Sequence, residues 1–236
     1  MKNILLILFI LFGYNSFSQT IELIVSGGFN SSTQTLRTDG ATKIGVSFNT
    51  IGNLQYQVDA YSGYHIKGLI GISKQLSEKT NIKLTSGLGY SSQGATIVSV
   101  NKTRITNNLN YLQIPILINF RFYKISFLFG PQISFLNSVN TNTKNSTILS
   151  LNALGQNPSF TFSEDDYSDR DNGFVFGLEY KIYKNISASV KYITSLKNIS
   201  IVPKETWKNK TIEISINYTL MDFILNDKSI KWWKIK

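Results

Sequence analysis

The chain has 236 residues, a length that fits a single domain. It contains no cysteine, which excludes disulfides and every form of thiol chemistry. Lysine and arginine outnumber aspartate and glutamate 24 to 14, and 42% of the residues are hydrophobic. This hydrophobic content is ordinary for a water-soluble protein, but it also fits strands in which every second residue is apolar.

Residues 1–18 have the organisation of a secretory signal peptide. Lys2 precedes an unbroken apolar run from Ile4 to Phe12, and the small residues of Ser16-Phe17-Ser18 follow. We expect cleavage before Gln19. An uncleaved anchor is the alternative, but the run is short of the ~20 apolar residues that a spanning helix needs. No later segment is apolar enough to span a membrane as a helix.

The clearest element is the stretch Tyr111 to Phe122, which reads YLQIPILINFRF. Every even-numbered residue in it is apolar. The odd-numbered residues include Gln113, Asn119 and Arg121. Alternation with period two predicts a β-strand whose two faces meet different environments. The stretch is also long enough to cross a bilayer, which takes a tilted strand of about 10 residues.

The same alternation recurs through most of the chain. Six more segments set an apolar face against a face of polar residues and glycine: 64–73, 82–90, 125–135, 174–182, 186–192 and 211–220. With one strand upstream, they predict an all-β fold, a transmembrane antiparallel up-and-down β-barrel of eight strands. We assign the barrel domain to residues 19–220.

The connections between these segments alternate between short and long. Tyr123-Lys124, Tyr183 to Asn185 and Gln75 to Asn81 are short. Long polar stretches lie between them, among them 91–110 and 136–173. Short turns on one side and long loops on the other are typical of outer-membrane barrels, whose short side faces the periplasm. The sequence therefore predicts a bacterial outer-membrane location with both termini periplasmic.

The first strand has two candidates. Ile21 to Asn30 and Lys43 to Asn49 both alternate, which gives nine segments where closure with both ends on one side needs an even number. We prefer Ile21 to Asn30, because it directly follows the cleavage site. Lys43 to Asn49 would then lie in the first long loop.

Several segments together resemble a known family. YLQIPILINFRF followed by FLFGPQISFL resembles the core of the PorT-type outer-membrane β-barrel proteins of Bacteroidetes. NIKLTSGLGYSSQGA is similar to their third strand, and DNGFVFGLEYKI with ISASVKYITSLKNIS to their sixth and seventh. The likeness spans residues 62–220 and implies an OmpA/OmpX-like barrel of eight strands. The founding members assist secretion and gliding machinery. Many members carry a glutamate in the third strand where this chain has Gly87, so that residue's role is not carried over.

The charged residues of the predicted strands all lie on the face opposite to the apolar face. Side chains nearly fill the interior of an eight-stranded barrel, and a charge on the lipid face costs ~2–4 kcal/mol at the bilayer midplane. We therefore expect these residues to point inward: Lys67, Lys83, Arg121, Glu179, Lys181, Lys191 and Glu213. We interpret them as a structural charge network; a basic lumen that conducts small anions is the alternative. If Ile72 pairs with Ile82, Lys67 faces Gly87.

Aromatic residues cluster at the predicted strand ends. Rings with a polar edge favour the headgroup zone, so they predict interfacial girdles in contact with outer-membrane lipids. These residues are Tyr90, Tyr111, Phe122, Tyr123, Tyr180, Tyr183, Tyr192 and Tyr218. Nucleic acid is not expected as a partner despite the net charge of +10, because no binding motif is present.

Two further segments invite a functional reading. The longest loop contains five acidic residues, Glu164, Asp165, Asp166, Asp169 and Asp171. Their spacing does not fit an EF-hand, so a solvated loop is the main interpretation and a weak cation or partner site the alternative. Residues 221–236 form a basic aromatic tail, either a frayed terminus or a segment that lies on the inner leaflet or contacts a periplasmic partner.

Catalysis has little support in the sequence. His65 is the only histidine, and no motif surrounds it that would make it a general base. A zinc site would need several histidine or cysteine ligands. We predict no enzyme, no cofactor and no metal. The expected function is a structural or accessory barrel that binds an envelope protein through its long outer loops or its C-terminal tail. A small transport or lipid-modifying barrel, which uses a basic lumen or the outer rim, is the alternative.

Overall fold

The computed structural model describes residues 19–38, 57–98, 104–144, 163–203, 205–226 and 229–230. In these ranges no helix has the length and apolar character needed to cross a membrane. Most of the described residues are in strands, with one short 3-10 turn at Glu164–Asp166. The strands are β1 (Gln19–Thr38), β2 (Gln57–Gln75), β3 (Thr80–Val98), β4 (Arg104–Phe122), β5 (Ile125–Lys144), β6 (Arg170–Lys181), β7 (Ile186–Ser195), β8 (Glu205–Asn226) and β9 (Ser229–Ile230).

The strands form a closed ring. Each of β1 to β8 pairs antiparallel with the next strand in sequence, and β1 also pairs with β8 from Gln19 to Thr38. This confirms the predicted all-β, antiparallel up-and-down barrel of eight strands. β1 contains the preferred segment Ile21 to Asn30, whereas Lys43 to Asn49 and the predicted signal peptide 1–18 lie outside the described residues.

Two hairpins have the register that the alternation predicts. Arg121 opposes Ser126 across β4 and β5, and Glu179 opposes Ser189 across β6 and β7. The two-residue turn Tyr123-Lys124 keeps polar residues opposite polar residues. The interior face therefore continues unbroken from strand to strand.

The β2–β3 hairpin differs from its predicted register. Ile72 opposes Leu84 rather than Ile82, and Lys67 therefore opposes Gly89. The turn between the strands is shorter than expected, and it is closed by a hydrogen bond from the Leu76 amide to the Thr80 carbonyl of 2.9 Å. The same residues still face inward, because the register shifts by an even number of residues.

The strands continue well into segments predicted as long loops. β3 ends at Val98 and β4 begins at Arg104, so most of the predicted loop 91–110 is strand. β5 likewise ends at Lys144 and β8 begins at Glu205. Their outer face is polar in these parts, so the apolar alternation that marks a lipid-facing strand is missing.

The lower part of the barrel has an apolar outer surface. On β8, the side chains of Ile212, Ile214 and Ile216 are between 48% and 59% exposed, whereas the residues between them are buried. From Ile212 to Leu220 a strand tilted by ~40° rises ~20 Å along the barrel axis, close to the ~25 Å apolar band of outer-membrane barrels. We call this surface the belt; other strands contribute Leu23, Ile70, Leu88, Ile116, Phe127, Phe176 and Val190.

Beyond the belt, the distribution of apolar residues is inverted. At the long-loop end a buried cluster fills the interior, formed by Ile97, Ile105, Leu109, Tyr111, Tyr167, Ile199 and Trp207. The outer face there carries polar residues such as Thr106, Asn142 and Thr206. Apolar inside and polar outside is the arrangement of a water-exposed domain. We call this part the extension; it comprises residues 31–38, 57–62, 92–98, 104–111, 136–144, 163–169, 196–203 and 205–210.

Two irregular segments complete the extension where the short strands β6 and β7 stop. Tyr167 forms an isolated antiparallel bridge with Ser200, and the Ser168 amide donates to the Ile199 carbonyl at 2.7 Å. The Ile199 amide in turn donates to the Trp207 carbonyl at 2.9 Å. The rings of Tyr167 and Trp207 lie 5.1 Å apart inside this closure. Burial raises the pKa of the Tyr167 phenol well above its usual range, which keeps it neutral.

The last strand of the ring is longer than predicted. β8 continues past residue 220 to Asn226, and β9 folds back on it with Ser229 opposite Asn226. The barrel therefore ends later than the predicted boundary of the tail 221–236. Residues 231–236 lie outside the described part of the chain.

Candidate functional site in the barrel interior

A buried carboxylate with two lysines occupies the middle of the barrel. Glu213 on β8 is fully buried, and the Lys67 ammonium on β2 donates to both of its carboxylate oxygens at 2.9 Å. The Lys191 ammonium on β7 lies 3.5 Å from Glu213 Oε2. A buried charge is stable only when it is paired and hydrogen-bonded, so this three-residue ion cluster holds the wall together across β1.

Glycine makes room for the lysine stem in this cluster. A Cβ added at Gly89 would lie 2.5 Å from Lys67 Cγ. Because Gly89 is the residue opposite Lys67, a larger residue there would push the lysine away from Glu213. The absence of a side chain in β3 at this level is thus part of the ion cluster's geometry.

A serine and a histidine meet next to the ion cluster. His65 Nε2 lies 2.9 Å from Ser215 Oγ, and both residues are buried. His65 Nδ1 has no hydrogen-bond partner among the described residues. The carboxylate of Glu213 is held by the two lysines instead of orienting the imidazole, so the acid of a catalytic triad is missing.

Polar pairs continue the network toward the short-turn end. The Lys83 ammonium lies 3.1 Å from Glu22 Oε2, with 13% and 16% of the two side chains exposed. Sequence reasoning missed Glu22, although it shares the inward parity of Ile24 and Ser26 in the first strand. Glu179 pairs with an amide rather than a cation, since Asn217 Nδ2 donates to its Oε2 at 2.8 Å.

Arg121 and Lys181 behave differently from the other predicted interior charges. Both are partly buried near the short-turn end of the barrel. Within the described ranges neither side chain forms an ion pair or a hydrogen bond. The structure thus brings Lys67, Lys191 and Glu213 together and leaves these two cations apart.

A second buried carboxylate lies below the extension. Asp171 is 6% exposed; Ser195 Oγ donates to its Oδ2 at 2.7 Å, and Asn209 Nδ2 donates to the same oxygen at 3.0 Å. The same Asn209 amide lies 3.2 Å from the Tyr111 hydroxyl. Asp171 therefore belongs to the barrel interior, because it faces inward at the start of β6.

The five acidic residues of the longest loop do not form one patch. Asp166 is also buried, and its Oδ2 accepts a hydrogen bond of 2.9 Å from the Ser163 amide at the start of the 3-10 turn. Only Glu164, Asp165 and Asp169 are exposed. In the described part of the chain no three His, Cys, Asp or Glu side chains are grouped as a metal ion would need.

The aromatic girdle has one exception among the predicted residues. Tyr111 is 1% exposed and lies in the extension's buried cluster, because it shares the inward parity of Gln113. Its assignment to the girdle was therefore wrong. Tyr90 is partly exposed, and the other six rings are exposed on the outer surface or at the turns.

Comparison with a family model agrees with this architecture. A family model described as outer membrane protein beta-barrel domain matches residues 21–219. No curated protein matches the chain. Among solved structures, the chain is similar to Neisserial surface protein A (9% identity, 84% of this chain and 96% of that chain, TM-score 0.41). It is also similar to OprG from Pseudomonas aeruginosa (10%, 89% and 97%, TM-score 0.40) and to Ail of Yersinia pestis (11%, 86% and 100%, TM-score 0.34). The family-model match covers most of the chain. It shows that the chain belongs to the outer membrane protein β-barrel domain family, whose members lie in the bacterial outer membrane.

Proposed function

We propose that this chain is a non-enzymatic, non-conducting barrel that presents its extension outside the cell to a partner protein of the envelope. In this proposal the short turns and both ends of the barrel face the periplasm. The observation that carries the proposal is the occupied interior: buried side chains extend from the ion cluster of Lys67, Lys191 and Glu213 up to the apolar cluster around Trp207.

The interior opposes transport along the barrel axis. An ion that passed through would have to separate Glu213 from Lys67, and breaking a buried pair costs about 3–5 kcal/mol. It would then meet Leu109 and Trp207, both fully buried and apolar. Buried apolar side chains cannot solvate an anion, so the inward charges are better explained as a structural network than as the anion-conducting lumen of the alternative.

The extension supports a binding role. Its strands are hydrogen-bonded to their neighbours up to their outer ends; β3 and β4, for example, are still paired at Val98 and Arg104. The extension also has its own apolar core. A strand of this kind that continues for seven residues beyond the belt projects ~15–20 Å from it. Rigid scaffolds that hold loops away from a surface are a common basis of recognition. The resemblance to PorT-type proteins suggests that the partner belongs to secretion machinery.

The buried histidine argues against an enzyme. The Ser–His contact among the described residues, between Ser215 and His65, lies inside the barrel at 1% and 2% exposure. A hydrolase needs its nucleophile accessible to substrate and its base oriented by a third group. Here neither condition is met by the described residues. Lipid modification at this pair would therefore require the barrel wall to open.

Single cysteines offer a direct test, because the chain contains none. Asn142→Cys places a thiol on the outer face of the extension, and Ser77→Cys places one in a short turn. With a cleavable cross-linker in native envelopes, we expect Asn142→Cys to capture one defined protein and Ser77→Cys to capture none. An impermeant maleimide on intact cells should label only Asn142→Cys.

Conductance separates the proposal from its alternative. The purified, refolded protein in planar bilayers should show no stepwise current in potassium chloride. Stable anion-selective steps, altered in Lys67→Met, would contradict the proposal and favour transport. Deacylation or acyl transfer on added lipid that is lost in Ser215→Ala would contradict it in favour of an enzyme.

A further inference from the structure

A cavity of about 340 Å³ opens at the short-turn end of the barrel. Asn81 of β3, Arg121 of β4 and Lys181 of β6 form its inner wall, and the turns at 76–79 and 123–124 form its rim. The cavity is separate from the ion cluster around Glu213. Its volume lies at the lower end of the ~300–1,000 Å³ typical of small-ligand sites.

The charge around this cavity is strongly one-sided. Among the described residues that line it are four cations, namely Lys79, Arg121, Lys124 and Lys181, and one acid, Glu78. The nearby Glu22 is already bound to Lys83. Glu22 and Asp222 attract Lys181 electrostatically, but neither forms an ion pair with it among the described residues, and Arg121 and Lys83 repel it.

Two of these cations have their charge unsatisfied. Among the described residues, neither Arg121 nor Lys181 has an ion-pair or side-chain hydrogen-bond partner, although both are partly buried. Arg121 and Lys181 repel each other electrostatically, and an anion bound between them would relieve that repulsion. The barrel wall fixes both, because they stand on β4 and β6, which are separated only by β5.

The rim of the cavity is held by backbone hydrogen bonds. The Tyr123 amide donates to the Lys79 carbonyl at 2.8 Å, which joins the two turns. The Lys181 amide donates to the Lys124 carbonyl at 2.8 Å, which ties β6 to the same rim. The Lys79 ammonium also lies 5.1 Å from the centre of the Tyr123 ring. The cavity is therefore a formed site rather than a gap between mobile turns.

We propose that this cavity binds a phosphate group, a role beyond that proposed for the extension. The planar guanidinium of Arg121 can donate two parallel hydrogen bonds to phosphate oxygens, and the Lys181 and Lys124 ammoniums supply further positive charge. A dianion matches this excess better than a single carboxylate does. The phosphate comes either from a soluble monoester or from a lipid headgroup that bends over the rim.

Binding can be measured on the refolded full barrel in micelles of an uncharged detergent. The probes are inorganic phosphate, for the soluble source, and dihexanoyl phosphatidic acid, for the lipid source, each titrated calorimetrically. We expect saturable binding of one or both probes at one site per barrel. Binding of inorganic phosphate supports a soluble ligand; binding of phosphatidic acid alone supports a lipid headgroup. Binding of neither probe overturns the proposal.

Variants locate the site. Arg121→Gln with Lys181→Gln should weaken binding about tenfold or more. The matched control is Lys144→Gln with Lys184→Gln, which removes two exposed charges and should change affinity by less than about twofold. Equal weakening in both pairs would reduce the effect to net charge and overturn the proposal. Arg121→Lys keeps the charge and the fold but loses the paired donors, so it should still weaken binding.

Discussion

Replacing Glu213 with glutamine removes the only carboxylate bonded to Lys67 and Lys191 in the described interior. Both ammoniums then face a neutral amide in a fully buried setting. An amide oxygen can still accept hydrogen bonds from the ammoniums, but it cannot balance two positive charges. We therefore expect Glu213→Gln to lower the free energy of unfolding substantially.

The expected loss follows from the contact distances. At 2.9 Å, the Lys67–Glu213 attraction is ~6 kcal/mol with an effective dielectric constant of ~20. Desolvation of both groups offsets much of this attraction. Removing one partner of a buried pair typically costs about 3–5 kcal/mol, because the remaining charge stays buried. We predict a loss in this range for Glu213→Gln.

Urea titration of the refolded barrel in lipid vesicles, followed by tryptophan fluorescence, measures this loss. The control is Asp59→Asn, which breaks the Arg104–Asp59 pair of 2.9 Å at 55% and 30% side-chain exposure. An exposed pair contributes ~0–1 kcal/mol. The triple variant Lys67→Met, Lys191→Met and Glu213→Leu removes every charge of the cluster and should regain most of the loss.

Equal stability of Glu213→Gln and Asp59→Asn would refute the reasoning. That result would mean that water reaches the ion cluster and screens it, as in an open lumen. A triple variant with a lower free energy of unfolding than Glu213→Gln would also contradict the prediction. It would show that the ion cluster contributes net stability, instead of only offsetting the cost of burying its own charges.

Three further variants, each with a matched control, test other parts of the structure. Gly87→Ala should prevent heat-modifiable migration on gels, because its Cβ would lie 2.1 Å from the Gly68 carbonyl, whereas Gly68→Ala, with nothing within 4 Å, should fold normally. Trp207→Ala should cost about 3–5 kcal/mol through the cavity left in the extension, and its exposed neighbour Thr206→Ala should change stability by no more than about 0.5 kcal/mol. Urea titration followed by circular dichroism measures both, because Trp207→Ala removes a fluorophore. Ile214→Arg, at a 59% exposed belt position, should cost ~2–4 kcal/mol in vesicles, while Thr206→Arg in the extension should cost little. Similar losses for the two arginine variants would contradict the assigned limit of the belt.

Lipid explains which part of the fold was predictable from sequence. On β8, lipid requires Ile212, Ile214 and Ile216 to face outward, and the narrow lumen requires Glu213 and Ser215 to face inward. Apolar and polar residues therefore alternate along the strand, and this alternation is visible in the sequence. The same reasoning predicts that Lys67 and Lys191 face inward, and both are buried.

The extension escaped the sequence analysis because no lipid contacts it. On β4, Ile105 and Leu109 point inward while Thr106 and Asn108 point outward, the reverse of the belt. A search for apolar outward faces reads such a strand as a polar loop. From Ile105 to Tyr111 the alternation continues, but the apolar residues occupy the inward positions. That reversed alternation was the signal that could have revealed the strand.

Contacts across the lumen could not be predicted from parity. Lys67 meets Glu213 only because β1 joins β2 to β8 when the ring closes. The register of the β2–β3 hairpin depended on a turn whose length the sequence did not specify. Asp171 was assigned to a loop because β6 starts four residues before the apolar Phe174, at Arg170.

In this barrel, lipid covers the belt and water covers the extension. Spin labels on single cysteines in vesicles test it through collisions with oxygen, which partitions into lipid, and with a water-soluble nickel chelate. Labels at Ile214→Cys and Ile216→Cys should collide with oxygen and be protected from nickel, and labels at Asn142→Cys and Thr206→Cys should show the reverse. Nickel access at Ile214→Cys and Ile216→Cys equal to that at Thr206→Cys would contradict the account.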